Sequence, residues 1–138
     1  MLKIRKEILE KIKEEAKKGY PFEICGFLIG NIDYQNNLRE VILSYQVENQ
    51  NKERANDRFE ISPRDYLKVE NFAEEKNLLI VGIYHSHPDH PSRPSQTDLM
   101  FAQPDLSYII ISASKDKINS IQSWYLEGDR FQEEEIIL

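Results

Sequence analysis

His85-Ser86-His87 and, after seven intervening residues that begin with Pro88, Ser95-Gln96-Thr97-Asp98 carry the side chains of this sequence best suited to catalysis. Residues two apart on a strand point to the same face, so His85 and His87 would project together where a strand ends. That is a metal-ligand spacing. A catalytic zinc binds neutral imidazoles at about 2.0 Å, takes three protein ligands and keeps a fourth position for water. Asp98 supplies the third ligand from the third position of a new helix, one turn of which brings its carboxylate back toward the strand. Pro88, Pro91 and Pro94 stiffen the connecting loop and lower the entropy lost in holding the ligands together. Taken singly, a His-x-His pair is often a polar strand end, and Ser-x-x-Asp is an ordinary helix start. Together they make one geometric expectation of a metal site.

Hydrolysis at such a site needs a base that takes a proton from water and passes it to the leaving group. Glu23 and Glu60 both lie at expected strand starts within reach of a neighbouring strand end, and spacing alone does not choose between them. His90, in the centre of the loop, is expected to face solvent or substrate and not the metal. Cys25 sits in an apolar stretch without an adjacent basic residue to activate it, so a packing thiol is expected and not a nucleophile. Trp124 and Tyr125 are expected in the core or at its rim.

The elements that must position these residues follow from periodicity. Ile4, Ile8, Ile12 and Ala16 recur every four residues, which predicts an amphipathic helix ending at Gly19. Ile24–Ile29 and Val41–Val47, separated by a polar Gln35-Asn36-Asn37 turn, predict a hairpin. A polar loop from Gln50 to Arg58 leads into a brief strand, Phe59–Ile61. Ser62 then caps a helix with Pro63 at its first position, running to about Lys76. Leu78–Tyr84 is nearly continuous in apolar residues, the pattern of a strand covered on both faces, and it delivers the chain to His85. Ser95 caps a short helix stopped by Pro104. Strands at Tyr108–Ile111, Ile121–Leu126 and Phe131–Ile137 follow, with turns at Lys115–Asn119 and Gly128-Asp129. The mixed order predicts an α/β (α+β) fold, a mixed sheet flanked by helices, with residues 1–138 as a single domain.

Composition narrows the function. The chain has 138 residues, 40% of them hydrophobic, enough for one stable core without disulfides, and the lone Cys25 could form none internally. The net charge of −6, with basic residues scattered among acids, argues against nucleic acid as a partner. No apolar run reaches the 18 or so residues of a membrane span, and the charged N-terminal segment lacks a signal-peptide core. A soluble cytoplasmic protein is expected.

The His85-Ser86-His87 and Ser95-x-x-Asp98 pattern resembles the signature of the JAMM, or MPN-plus, metalloprotease family, in its small stand-alone bacterial branch. Pro21-Phe22-Glu23-Ile24-Cys25-Gly26 matches the family's opening motif, and the likeness continues along Phe59-Glu60-Ile61-Ser62-Pro63 and the strand before His85. The resemblance implies a cytidine deaminase-like fold and a Zn2+ held by His85, His87 and Asp98. It also implies Glu23 as the general acid/base and Ser95 as the hydroxyl that stabilises the oxyanion. For Ser86 it implies a structural role only. The implied activity is that of a metallopeptidase or isopeptidase acting at the C-terminal Gly-Gly tail of a ubiquitin-like, β-grasp sulfur-carrier protein, including release of cysteine from it. Two alternatives stay open: a zinc-stabilised binding module without catalysis, and a peptidase of small peptides. Gln50–Arg58 is the loop expected to cover the site.

Overall fold

In a computed structural model describing residues 1–138, the chain runs β1 (Leu2–Ile4), α1 (Lys6–Gly19), β2 (Cys25–Asp33), β3 (Leu38–Val47), α2 (Pro63–Glu75) and β4 (Leu79–Pro88). It continues through α3 (Gln96–Phe101), β5 (Ser107–Ser114), β6 (Lys117–Glu127), β7 (Arg130–Glu134) and β8 (Ile136–Ile137). The strands form one mixed eight-stranded sheet in the order β7-β6-β5-β4-β2-β3-β1-β8. β4, from Val81 onward wholly buried, is its spine, pairing antiparallel with β2 and parallel with β5. The parallel pair requires a crossover, and that crossover is the proline loop with α3.

Helices cover the two faces. Leu9, Ile12 and Ala16 of α1 pack with Leu28, Tyr84, Ile109 and Ile111 on one face. Val69 and Ala73 of α2 pack with Phe27, Ile29, Ile83 and Tyr108 on the other. Because side chains alternate along β4, His85 and His87 fall on the same face as Ile83, the face that α2 covers. Gly26 of the opening motif lies opposite Tyr84 across the ladder, and a Cβ at Gly26 would come within 2.4 Å of the tyrosine ring. The missing side chain lets the Tyr84 hydroxyl reach across and donate to Glu15 of α1 at 2.6 Å.

Several boundaries differ from the expected ones. Ile4 belongs to a buried parallel strand beside β3 and not to the first helix, which starts at Lys6. A three-residue strand is too short to carry a periodic signal against a strong helical repeat. Phe59–Ile61 forms no strand of the sheet, and Gln50 N–H donates to the Glu60 carbonyl at 2.8 Å as a local tie. β4 continues through both histidines to Pro88, since β5 keeps pairing with it as far as Ala113. β6 starts at Lys117, within the expected turn, which shrinks to a tight reversal with Asp116 at positive φ. The expected last strand divides at Glu135: β7 pairs with β6, whereas β8 crosses to β1, the opposite end of the strand order. One residue joins the two outermost strands, so the sheet curls until its ends lie close together. No helix is long and apolar enough to cross a membrane.

Candidate metal centre

Register brings the expected residues together. Cys25 pairs with His85 across the β2–β4 ladder, so two residues earlier Glu23 falls opposite His87, on the same face. Ser86 secures this continuation: its N–H donates to the Ile24 carbonyl at 3.1 Å, and its hydroxyl accepts from Ile24 N–H at 2.9 Å. The serine between the histidines therefore clasps the segment that carries Glu23. Glu60, the alternative base, is exposed and lies on the rim of the adjoining cavity.

His85, His87 and Asp98 each offer one ligand atom, all within 4.8 Å of one another. His85 Nε2 lies 3.1 Å from His87 Nε2 and 3.3 Å from Asp98 Oδ1, and His87 Nε2 lies 3.1 Å from Asp98 Oδ2. His87 Nδ1–H donates to the Pro91 carbonyl at 2.8 Å, which leaves Nε2 of the neutral ring as a bare lone pair aimed at the cluster. Two imidazole nitrogens and a carboxylate converging in a buried place repel one another unless a proton or a cation stands between them. The donor set, two nitrogens and one oxygen, fits a divalent transition metal and leaves a coordination position free.

The titration of the group agrees. Burial opposes the charge on Asp98, but hydrogen bonds from His85, His87 and the Ser95 N–H outweigh it and hold the carboxyl well below the usual range. Burial pushes His85 down; for His87 the same burial is overcome by Asp98 and the Pro91 carbonyl, so this imidazole is raised. The proton favoured on His87 is the one a metal ion would displace. Burial pushes the Glu23 carboxyl up to about 8, with the His87 charge pulling against it. A carboxyl that takes and releases a proton near neutral pH is what a general base requires.

Asp98 is presented by a capping box: Ser95 Oγ accepts from Asp98 N–H at 3.0 Å, and Asp98 Oδ2 accepts from Ser95 N–H at 2.9 Å. The cap occupies a lone pair of the Ser95 hydroxyl and leaves its hydrogen free to donate. The proline loop is firmly anchored. Ser92 is bonded to Ser120 and Gln122, Trp124 Nε1–H donates to the Ser92 carbonyl at 2.9 Å, and Asp89 N–H donates to the Ala113 carbonyl at 2.7 Å. Trp124, expected in the core or at its rim, is half-buried and holds this loop in place. His90 stands outside the ligand group. Cys25 is fully buried, and burial pushes its thiol up to about 12.

Two cavities flank Glu23. One, of about 350 Å³, is lined by Pro91 and by charged and polar residues, among them His87, Ser95, His90, Arg58 and Arg93. The other, of about 510 Å³, holds His85 and Asp98 with Phe59, Ile61, Tyr66 and Phe101. Phe59 stacks on the His85 ring, centroids 4.4 Å apart. The Gln50–Arg58 loop does reach the site: the Ala55 carbonyl accepts from Glu23 N–H, and Asn49 donates to the carbonyls of Glu23 and Arg58. Arg58, Arg93, the Phe59 stack and the Pro91 carbonyl were not singled out from the sequence. Spacing pointed to none of them, because a residue in a polar loop looks the same in sequence whether it faces solvent or a cavity.

The sequence model for prokaryotic homologs of the JAB domain matches residues 5–127. The chain is 31% identical over 129 residues to the desampylase of Haloferax volcanii, covering 94% of this chain and 87% of that one. It is 26% identical over 137 residues to the CysO-cysteine peptidase of Mycobacterium tuberculosis, covering 99% of this chain and 90% of that one. Among solved structures, a protein from Desulfitobacterium hafniense is similar with a TM-score of 0.86 at 33% identity, covering 99% of this chain and 92% of that one.

Proposed function

This chain belongs to the prokaryotic homologs of the JAB domain, and from that premise and the geometry of the site we propose that it is a zinc metallopeptidase hydrolysing an amide bond at the C-terminal tail of a ubiquitin-like protein. It is a hydrolase, as its relatives' names state of them. The substrate we favour is a β-grasp sulfur carrier ending in Gly-Gly, with release of cysteine as its reaction, in the cytoplasm. The single observation that carries the reading is Glu23, a buried carboxyl raised to about 8 and held opposite His87, bordering the open sides of a three-donor cluster. A zinc site that served only to stabilise a binding module would be closed by four protein ligands.

His85, His87 and Asp98 would hold the zinc. When bound, it would supply a Lewis acid that polarises the scissile carbonyl and acidifies water. Glu23 takes the proton of the attacking water and delivers it to the departing amine. Ser95 donates its free hydroxyl hydrogen to the oxygen on which negative charge develops. The Pro91 carbonyl keeps His87 in the tautomer that presents Nε2, and Ser86 keeps Glu23 in register with it. Phe59, stacked on His85, screens that ligand from water.

The test uses a sulfur-carrier protein bearing a cysteine after its terminal Gly-Gly. The zinc-loaded protein should release cysteine, a chelator should stop it, and Glu23→Gln should retain one zinc per chain while losing cleavage. Undiminished cleavage by Glu23→Gln would refute the assigned base, and a wild type that takes up no metal would remove the site.

A further inference from the structure

The two cavities that meet at Glu23 differ in chemistry, and a hydrolase must place different things on the two sides of the scissile bond. The larger cavity offers aromatic and aliphatic walls, and α3 carries Met100 and Phe101 out to solvent, 76% and 74% exposed, with Phe101 on the cavity wall. It suits the acyl side, an extended tail leading back to a protein body that apolar contacts can hold. The smaller cavity is lined by charged and polar residues and by Pro91, and sits on the Ser95 side of Glu23.

Its charge is not balanced. The Asp57 carboxylate is taken up by Arg54, whose Nε donates to Oδ1 at 3.1 Å and whose second nitrogen donates to Oδ2. Arg58 donates to the Asp57 carbonyl through Nη1 and stands 3.9 Å from that carboxylate, so most of its guanidinium N–H groups remain free. Arg93 and His90 make no side-chain hydrogen bond or ion pair. The guanidinium groups of Arg58, only loosely engaged by Asp57, and of Arg93, paired with no carboxylate, therefore line a space of about 350 Å³ beside the base.

We propose that this cavity is the leaving-group subsite, and that Arg58 and Arg93 read the free α-carboxylate of a single departing amino acid. The inference rests on the hydrolase reading above. In the reaction water adds to the acyl carbon, the C–N bond breaks, the tail leaves as a carboxylic acid, and the amine departs with the proton returned by Glu23. When the leaving group is one terminal amino acid, its α-carboxylate lies one carbon from the scissile nitrogen, within reach of the arginines. An internal peptide bond places a neutral amide there. An isopeptide bond to lysine places a hydrocarbon chain there, and neither uses two guanidinium groups. Pro91 is the cavity's one apolar side chain, so recognition falls mainly on the carboxylate.

The probe is a synthetic peptide ending Gly-Gly-Cys and the same peptide with a C-terminal carboxamide. Cleavage is followed with the zinc-loaded protein, and binding is followed by calorimetry on zinc-loaded Glu23→Gln. The free carboxylate should be preferred roughly 10- to 100-fold in both measurements, the scale of one or two charge-assisted hydrogen bonds. In the double variant Arg58→Gln, Arg93→Gln the two peptides should fall within about 3-fold of each other. Equal handling of the two peptides by wild-type protein would overturn the subsite and leave the hydrolase reading standing. If zinc-loaded protein neither binds nor cleaves either peptide or a Gly-Gly-Cys carrier, the hydrolase reading fails and takes this proposal with it.

Discussion

His85 and His87 stand on a strand whose every residue from Val81 onward is buried, whereas Asp98 stands on a six-residue helix with no buried residue at all. The histidines are placed by ladder hydrogen bonds on both sides and by core packing beneath them. The carboxylate is placed by a cap, by the histidines themselves, and by a loop tied to β6. One side of the site is thus a property of the core, and the other depends on a few polar contacts near the surface. A metal-dependent site can tolerate this asymmetry because the ion would complete the weaker side.

The sharpest way to break this comparison is to remove a ligand from each side. His85→Ala and Asp98→Ala should both weaken metal binding at least about 100-fold, the upper range for losing even a supporting partner of a ligand. Their metal-free stabilities should diverge. His85→Ala opens a cavity beneath Phe59 and should cost about 2–4 kcal/mol in urea unfolding. Asp98→Ala opens no core cavity and should cost about 1–2 kcal/mol through the lost cap and histidine hydrogen bonds, with faster amide exchange confined to α3 and the end of the loop. Equal global losses would mean that α3 is as integral to the core as β4.

Next in size, Ser95→Ala should lower kcat about 100-fold if the hydroxyl donates to the developing oxyanion, and Ser95→Thr should recover much of it. A loss of only a few-fold would leave the serine as a cap alone. The third prediction concerns Glu23, on the buried side. Its carboxyl, raised in the folded chain from an ordinary value of 4.5 to about 8, contributes stability that is complete below pH 4.5 and is lost as pH rises to 8. Metal-free wild-type protein should therefore weaken over that window relative to Glu23→Gln. The variant should be the more stable at pH 8 by roughly 1–3 kcal/mol, read from urea midpoints at pH 5 and 8. Smallest of all, Trp124→Phe removes the bond to the Ser92 carbonyl and should cost about 1 kcal/mol, with looser exchange in the loop but not in β4.

The same asymmetry explains what could be read from the residues in order. That His85, His87 and Asp98 converge was legible because they are compact in sequence, a strand exit and the next helix start, each with its own local signature. The apolar run before His85 and the Ser62-Pro63 start of α2 were plain for the same reason. That Glu23 and not Glu60 lies opposite His87 needed the β2–β4 register, a long-range pairing that periodicity does not contain, and only the family motif pointed to Glu23. β1 and β8 were missed because strands of three and two residues gain their place from partners at opposite ends of the chain. Arg58 and Arg93 gave no signal, since an arginine in a polar loop looks the same whether it faces solvent or a cavity.

Cys25, buried one strand away from His85, has a further consequence. Thiol–disulfide exchange requires an accessible thiolate, and this thiol is fully buried and held protonated far above neutral pH. The chain can therefore work in the presence of free thiols and disulfides without being captured by them.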